Sequence, residues 1–110
     1  MRYTDKISFE ERKKNSNELL EKYQNRKPII VYDDQTRITY KFLLLDDHLI
    51  GILIQNLKKR MNVNNVESIF LFINKSTIPC PTQNIRSLYT QYKNEDGYLY
   101  MDVKRENTFG

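Results

Sequence analysis

Apolar residues along this chain gather into four short runs that have the pattern of β-strands. The first run is continuous and β-branched, which predicts a strand buried on both faces at the centre of a sheet. The second alternates polar and apolar residues over its first part, so Lys41 and Leu43 should share one face, opposite to Phe42. A polar loop at 33–37 joins these two runs and predicts a hairpin. The four runs lie at 29–32, 38–44, 69–73 and 98–103.

A longer segment spaces its apolar residues as the buried face of a helix does. They follow the i, i+3, i+4, i+7, i+11 rhythm of one helical face: Ile50, Leu53, Ile54, Leu57 and Met61. Asp46 and Asp47 precede the segment as acidic helix-start residues. Two lysines and an arginine at 58–60 place positive charge at the negative end of the helix dipole. This is the clearest helix that the sequence predicts.

Two further helices are predicted from capping patterns. Ser8 and Glu11 have the spacing of a capping box, which favours a helix at 9–23 with a narrow apolar stripe and an exposed basic face at 12–14. Thr82 should cap a short helix further along the chain. The apolar positions of that short helix are Ile85, Leu88, Tyr89 and Tyr92.

The predicted order of elements is helix, strand, strand, helix, strand, short helix, strand. A hairpin followed by a helix laid across the sheet, with the last strand placed centrally beside the first, is the β-grasp arrangement of an α+β domain. We expect a single domain over 1–110. It divides into an N-terminal helical extension (1–26), a β-grasp core (27–103) and a flexible C-terminal tail (104–110).

Composition and charge narrow the class of protein. With 110 residues, 39% of them apolar and 29% charged, the chain fits one soluble domain with one core. The net charge of +4 is modest and favours an acidic partner or a lipid surface. No apolar run approaches the ~20 residues that span a bilayer, and the N-terminus lacks a signal-peptide segment, so we expect a cytoplasmic protein.

The chemistry of most enzyme and metal sites is missing from the sequence. Cys80 is the only cysteine and His48 the only histidine, too few for structural zinc, and Cys80 stands between two prolines with no sign of an orienting group. The three glycines do not form a phosphate-binding loop. We therefore expect no catalytic residues, no cofactor and no metal.

The chain ends on a polar tail tipped by Phe109 and Gly110. A terminal glycine has no Cβ, so its carboxylate can enter a narrow enzyme tunnel that any side chain would block. Carboxyl-activating enzymes require that geometry. The tail alone fits two interpretations equally: a chain that ends in glycine by chance, and one in which Gly110 is the conjugation residue.

Several short blocks, in order, resemble the autophagy-eight family of ubiquitin-like modifiers, which includes the GABA-receptor-associated protein and light chain three. The resemblance covers 9–110, and the order of the blocks is more specific than any single block. The blocks are FEER at 9–12, KYQNRKPIIV at 22–31, KFL at 41–43, IFLFIN at 69–74, SLY at 87–89, NEDGYLY at 94–100 and ENTFG at 106–110.

The resemblance implies a ubiquitin-like β-grasp with an added N-terminal helical region, conjugated through Gly110 to phosphatidylethanolamine. It implies a monomer that is cytoplasmic and, when lipidated, bound to autophagosomal or other vesicle membranes. The implied partners are ubiquitin-like activating and conjugating enzymes, proteins with aromatic-x-x-aliphatic motifs, and a deconjugating cysteine protease. Nucleic acid is not expected.

The same resemblance implies two apolar pockets beside an exposed strand edge, with Arg26 nearby as an electrostatic contact. The aromatic pocket would use Leu19, Pro28, Ile30, Lys41, Leu43 and Tyr98. The aliphatic pocket would use Phe42, Leu44, Leu45, His48, Leu53 and Leu57. His48 and Asn56 stand where relatives are apolar, so we expect the second pocket to give a peptide less apolar surface.

Two alternatives remain open at this point. The chain could be a modifier joined to a protein lysine, as in the related autophagy-twelve family, which would share the fold and the tail. It could also be a basic nucleic-acid-binding module that uses 12–14 and 58–60, and its binding would then depend steeply on salt.

Overall fold

The computed structural model describes residues 1–64 and 67–107, with the side chain of Asn107 left out of that description. Its helices and strands follow the order that the apolar patterns predict, preceded by one extra helical turn. The elements are α1 (Tyr3–Lys6), α2 (Phe9–Lys22), β1 (Arg26–Asp33), β2 (Ile38–Leu45), α3 (Ile50–Met61), β3 (Glu67–Phe72), α4 (Ile85–Tyr92) and β4 (Leu99–Asn107).

The strands form one mixed sheet in the spatial order β2-β1-β4-β3. β1 pairs antiparallel with β2 and parallel with β4, while β4 pairs antiparallel with β3. The first and last strands therefore lie together at the centre. This arrangement confirms the predicted α+β fold of the β-grasp type, with helices added at the N-terminus.

The pairing of β1 with β2 decides which backbone groups point out of the sheet edge. Asp46 N–H donates to Asn25 O at 2.9 Å, one step beyond the strands, so this opposed pair is hydrogen-bonded. Opposed pairs in an antiparallel ladder alternate between hydrogen-bonded and non-hydrogen-bonded. Pro28 lies opposite Leu43 in a non-hydrogen-bonded pair, where its missing N–H removes no bond to β2. The backbone groups of Leu43, and of Lys41 two residues away, therefore point away from β1.

The main hydrophobic core lies between one face of the sheet and helices α3 and α4. Ile29 and Val31 of β1 point into it and are fully buried. Leu53 and Leu57 of α3 are also fully buried, because their spacing places them on one side of the helix. The apolar face predicted for this segment is confirmed, with Ile54 partly buried at its margin.

A second apolar cluster covers the opposite face of the sheet. Ile30 of β1 points to this face because side chains alternate along a strand. It is buried together with Tyr98, and Tyr3 of α1 packs on them, its ring meeting that of Tyr98 edge to face at 5.5 Å. Leu19 of α2 and Tyr100 are partly buried at the border. The N-terminal helices thus complete the sheet on the side that α3 leaves uncovered.

A buried ion pair fastens α2 to the turn before β4. Asp96 has no exposed surface, and its carboxylate accepts hydrogen bonds from Arg12 Nε at 2.8 Å, from the Tyr98 N–H at 3.0 Å and from the Tyr100 hydroxyl. Arg12 also donates to the carbonyl of Ile7. The prediction that residues 12–14 form an exposed basic face is therefore wrong at Arg12, which turns inward because it pairs with a buried carboxylate.

The close approach of α2 to this turn depends on a glycine. Gly97 has a φ of +91°, a conformation that side chains rarely adopt. A Cβ added there would clash with Ser16 Oγ and lie 3.0 Å from Ser16 Cβ. Ser16 is fully buried and donates to the carbonyl of Asp96, so it has no room to move.

Helix starts show where local patterns succeed and fail. Ser8 caps α2 as predicted, accepting a hydrogen bond from the Glu11 N–H at 3.2 Å. Thr82 does not cap α4, because Asn84 occupies the N-cap and accepts from the Ser87 N–H at 2.8 Å. Asp46 does not lie in the first turn of α3, which begins four residues later.

The final strand is longer than the apolar pattern predicts. The sequence ends it at 103, but β4 continues to Asn107 and pairs with β3 along 102–107. Backbone pairing continues because hydrogen bonds to β3 do not require apolar side chains. Residues 104–107, predicted to belong to the flexible tail, are therefore part of the sheet.

Two glycine substitutions test the contact between α2 and the sheet. Gly97→Ala should lower the free energy of unfolding by at least about 2 kcal/mol, through strain at positive φ and the clash with Ser16. Gly51→Ala is the matched control, since its Cβ would meet only the Pro81 carbonyl at 3.6 Å. It should be neutral or stabilising by up to about 1 kcal/mol. Urea denaturation of both variants measures this, and equal losses would contradict the account.

Candidate functional site

β2 lies at an edge of the sheet and pairs on one side with β1. Within 1–64 and 67–107, no strand pairs with its other side. A strand in this position presents outward backbone donors and acceptors that can pair with another extended segment. The exposed strand edge implied by the family resemblance is therefore present at β2.

A depression of about 380 Å³ adjoins this edge on the side of α3. Phe42 and Leu44 of the predicted aliphatic pocket line it, and Arg60 Cζ lies 4.3 Å from the centre of the Phe42 ring. The other lining residues are Lys41, Leu43, Asn56 and Lys59. The depression thus joins a small apolar floor to a cationic rim.

Four other residues of the predicted aliphatic pocket do not line this depression. Leu53 and Leu57 are fully buried in the main core and have no exposed surface in this structure, so their place in the pocket stays a prediction. Leu45 is half-buried at the end of β2. His48 is half-buried in the turn before α3, where its carbonyl accepts from the Ile85 N–H at 2.8 Å. His48 therefore lies beside the start of α4.

Three of the six residues predicted for the aromatic pocket meet on the opposite face of the sheet, while Lys41 and Leu43 also line the depression. Leu19, Ile30 and Tyr98 belong to the second apolar cluster, Pro28 is buried, and Leu43 is half-buried. Their separation along the sequence hides this proximity, which the sheet order creates. Only the family resemblance predicted that these residues share one site.

Tyr3 is a member of this cluster that the sequence analysis missed. Lys41 Nζ lies 4.6 Å from the centre of its ring, a cation–π distance that connects α1 to the edge strand. Because α1 is a single turn of four residues, it is too short to show the repeating apolar spacing that predicts a helix. An aromatic residue at the extreme N-terminus was the one available signal.

Burial raises the pKa of two tyrosines on this face. Desolvation raises the pKa of Tyr98 well above its ordinary value, and the neighbouring Tyr3 and Asp96 add to the shift. Desolvation likewise raises the pKa of Tyr100, and its hydrogen bond to Asp96 raises the pKa further. Both hydroxyls are therefore harder to ionise than that of an exposed tyrosine, which itself is protonated at neutral pH.

Comparison with known proteins decides the family. The profile described as "Autophagy protein Atg8 ubiquitin like" matches residues 11–110. The chain belongs to the Atg8 family. Among curated Atg8 proteins, Autophagy-related protein 8h of Arabidopsis thaliana is 35% identical, with 98% of this chain and 94% of that protein covered. Autophagy-related protein 8 of Schizosaccharomyces pombe is 34% identical, with 98% and 93% covered.

Solved Atg8 structures share the fold over nearly their whole length. The crystal structure of Trypanosoma brucei ATG8 superposes with a TM-score of 0.85 at 28% identity, covering 100% of this chain and 98% of that one. Plasmodium falciparum Atg8, solved in complex with a Plasmodium falciparum Atg3 peptide, superposes with a TM-score of 0.81 at 29% identity, covering 94% and 95%. The ubiquitin-like fold implied by the resemblance is confirmed.

Gly110 lies outside the described residues. Within the described residues, no helix has the length and hydrophobicity to cross a membrane, and no cluster of three His, Cys, Asp or Glu side chains could hold a metal ion. Arg26, the predicted electrostatic contact, donates from Nη1 to the Leu43 carbonyl at 2.9 Å, directly on the edge strand.

The turn that ends the edge strand is held by Asp46. Its carboxylate accepts from Arg86 Nη2 at 3.0 Å and lies 3.5 Å from Lys27 Nζ. The hydrogen bond from Arg86 lowers the pKa of Asp46 below its ordinary value, against the opposing effect of burial, and Lys27 adds to the lowering. This pair of contacts ties the end of β2 to β1 and to α4.

The lowered pKa makes Asp46 a source of acid sensitivity. Ionised Asp46 stabilises the fold above its unfolded pKa of about 3.9, and that contribution is lost as pH falls through the lower folded pKa. Asp46→Asn should therefore be less stable than wild type at pH 6, and the difference should close below about pH 4. Asp47→Asn changes an exposed neighbour and should follow wild type. Urea denaturation across this pH range would contradict the account if the gap stayed constant.

Proposed function

We propose that this Atg8-family protein is conjugated through Gly110 to phosphatidylethanolamine on autophagosomal membranes and recruits proteins with aromatic-x-x-aliphatic motifs. Its membership in a family of ubiquitin-like autophagy proteins supports the proposal, as does the tail that follows directly from β4. Ubiquitin-like activating and conjugating enzymes would act on Gly110. A cysteine protease would release the lipid, and the unconjugated form would be cytoplasmic.

The observation that carries the peptide-binding proposal is the position of the two apolar surfaces around the β2 edge. A peptide added to this edge as a strand would point successive side chains to opposite faces of the sheet. The first and last residues of an aromatic-x-x-aliphatic motif therefore point to opposite faces. The second apolar cluster lies on one face and the depression at Phe42 lies on the other.

The two surfaces differ in what they offer a peptide. Ile30 and Tyr98 are buried, so a peptide's aromatic ring would pack on the partly buried margin of the second apolar cluster, at Ile7 and Leu19, where apolar contact suits its large area. The depression has Asn56, Lys59 and Arg60 around its apolar floor. The aromatic anchor should therefore supply the larger share of the binding free energy.

The structure bears on only one of the two alternative functions, and the other needs a chemical measurement. A modifier joined to a protein lysine would use the same fold and tail, so the mass of the group attached to Gly110 separates it from lipid conjugation. The nucleic-acid alternative relied on two basic segments. Arg12 of the first is buried against Asp96, which reduces the exposed basic surface, whereas the second, at 58–60, stays exposed.

Conjugation through Gly110 predicts a specific loss of attachment. Gly110→Val should fold normally yet give no lipidated protein in cells, because a β-branched side chain cannot enter the narrow tunnel of an activating enzyme. Glu106→Gln, an exposed change earlier on the same segment, should still be conjugated. Mass spectrometry of the membrane fraction identifies the attached group. A phosphatidylethanolamine adduct on the Gly110→Val variant would refute the assignment.

Peptide capture at β2 predicts a localised effect of leucine truncation. An aromatic-x-x-leucine peptide should bind with micromolar affinity, roughly −8 kcal/mol. Leu43→Ala should weaken it about fivefold, since a half-buried leucine loses part of its transfer free energy. Leu49→Ala, at an exposed leucine beyond the strand, should bind like wild type. Calorimetry measures both variants, and chemical-shift changes centred on β3 rather than β2 would reject the placement.

A further inference from the structure

Two arginines from different elements donate hydrogen bonds to the backbone of the edge strand. Arg26 of β1 donates from Nη1 to the Leu43 carbonyl at 2.9 Å. Arg60, in the last turn of α3, donates from Nη1 to the Lys41 carbonyl, also at 2.9 Å. Both distances are those of good charge-assisted hydrogen bonds.

These carbonyls point out of the sheet. The register of the hairpin places Lys41 and Leu43 in non-hydrogen-bonded pairs with β1, so their backbone groups face away from it. Leu45 has the same orientation, and its carbonyl accepts from the His48 N–H at 3.1 Å. Every second carbonyl from 41 to 45 is therefore occupied by a donor from the molecule itself.

The arrangement matters because an open strand edge can pair with another copy of itself. Unpaired outward carbonyls act as acceptors for a second strand, and proteins protect such edges to avoid association. An incoming strand must replace a charged donor before its own N–H groups can bond to Lys41 and Leu43. The guanidinium of Arg60 is also held in place over the Phe42 ring at 4.3 Å.

We propose that Arg26 and Arg60 cap the β2 edge and keep the protein from dimerising through β2. The partner that the caps exclude is a second copy of this chain, paired antiparallel across a two-fold axis near Leu43, as an isologous contact requires. This proposal concerns the unliganded protein. It does not rest on the proposed conjugation or on peptide capture.

The test removes the caps and measures self-association. Arg26→Met/Arg60→Met keeps the apolar stems and removes the donors. Lys58→Met/Lys59→Met is the matched control, with the same change in charge and hydrophobicity at exposed residues beside Arg60. Sedimentation velocity over a concentration series gives the dimer dissociation constant, while circular dichroism verifies folding. The uncapped variant should dimerise with a dissociation constant lower than the control by roughly tenfold per cap.

Hydrogen exchange then locates the contact. In the dimer, the amides of Lys41 and Leu43 should become protected, because they would donate across the new strand pair. An uncapped variant as monomeric as the control, a control that dimerises equally, or protection confined to β3 would each overturn the proposal. If the double variant does not fold, Arg60→Met alone decides, since this side chain is exposed: it should dimerise roughly tenfold more tightly than Lys59→Met, and equality refutes the capping role.

Discussion

The buried ion pair between Arg12 and Asp96 positions the N-terminal helices on the sheet. A carboxylate with no exposed surface is tolerated only when hydrogen bonds replace its water, and Arg12, the Tyr98 N–H and the Tyr100 hydroxyl do so. Losing one partner would leave an uncompensated buried charge. Because α2 is fixed there, the second apolar cluster, which includes Tyr3 and Tyr98, is covered on the face of the sheet that α3 leaves open.

The edge strand combines features that oppose each other. Its outward backbone groups make it able to receive another strand, while cations from β1 and α3 occupy two of its carbonyls. A strand that arrives must therefore compete with internal donors. The surroundings of β2 are cationic at Lys41, Lys59 and Arg60, so the edge favours a partner whose side chains carry negative charge.

Most of the fold could be predicted from apolar periodicity, because the core depends on it. The four strands, α3 and the central place of the last strand follow from runs and spacings that tertiary packing preserves. The predictions that proved wrong concerned polar residues. Arg12 has the local pattern of an exposed face, and only the distant Asp96 explains its burial. Asn84 outcompetes Thr82 as a cap because the chain geometry at 80–84, fixed by pairing with the start of α3, decides where α4 begins.

The candidate site was less predictable, since its residues meet only through the sheet order. The helical spacing of Leu53 and Leu57 shows that they face the sheet, but it does not show whether they line a pocket or fill the core. Only their burial in the structure places them in the core. The parallel pairing of β1 with β4 has a further consequence. Ile29 pairs with Leu99, about 70 residues later, so the centre of the sheet forms by closing a long loop. Such distant pairing slows folding and delays the complete core until the last strand is available. The same strand leads into the tail, so a chain that has not finished folding cannot present that tail from an ordered sheet.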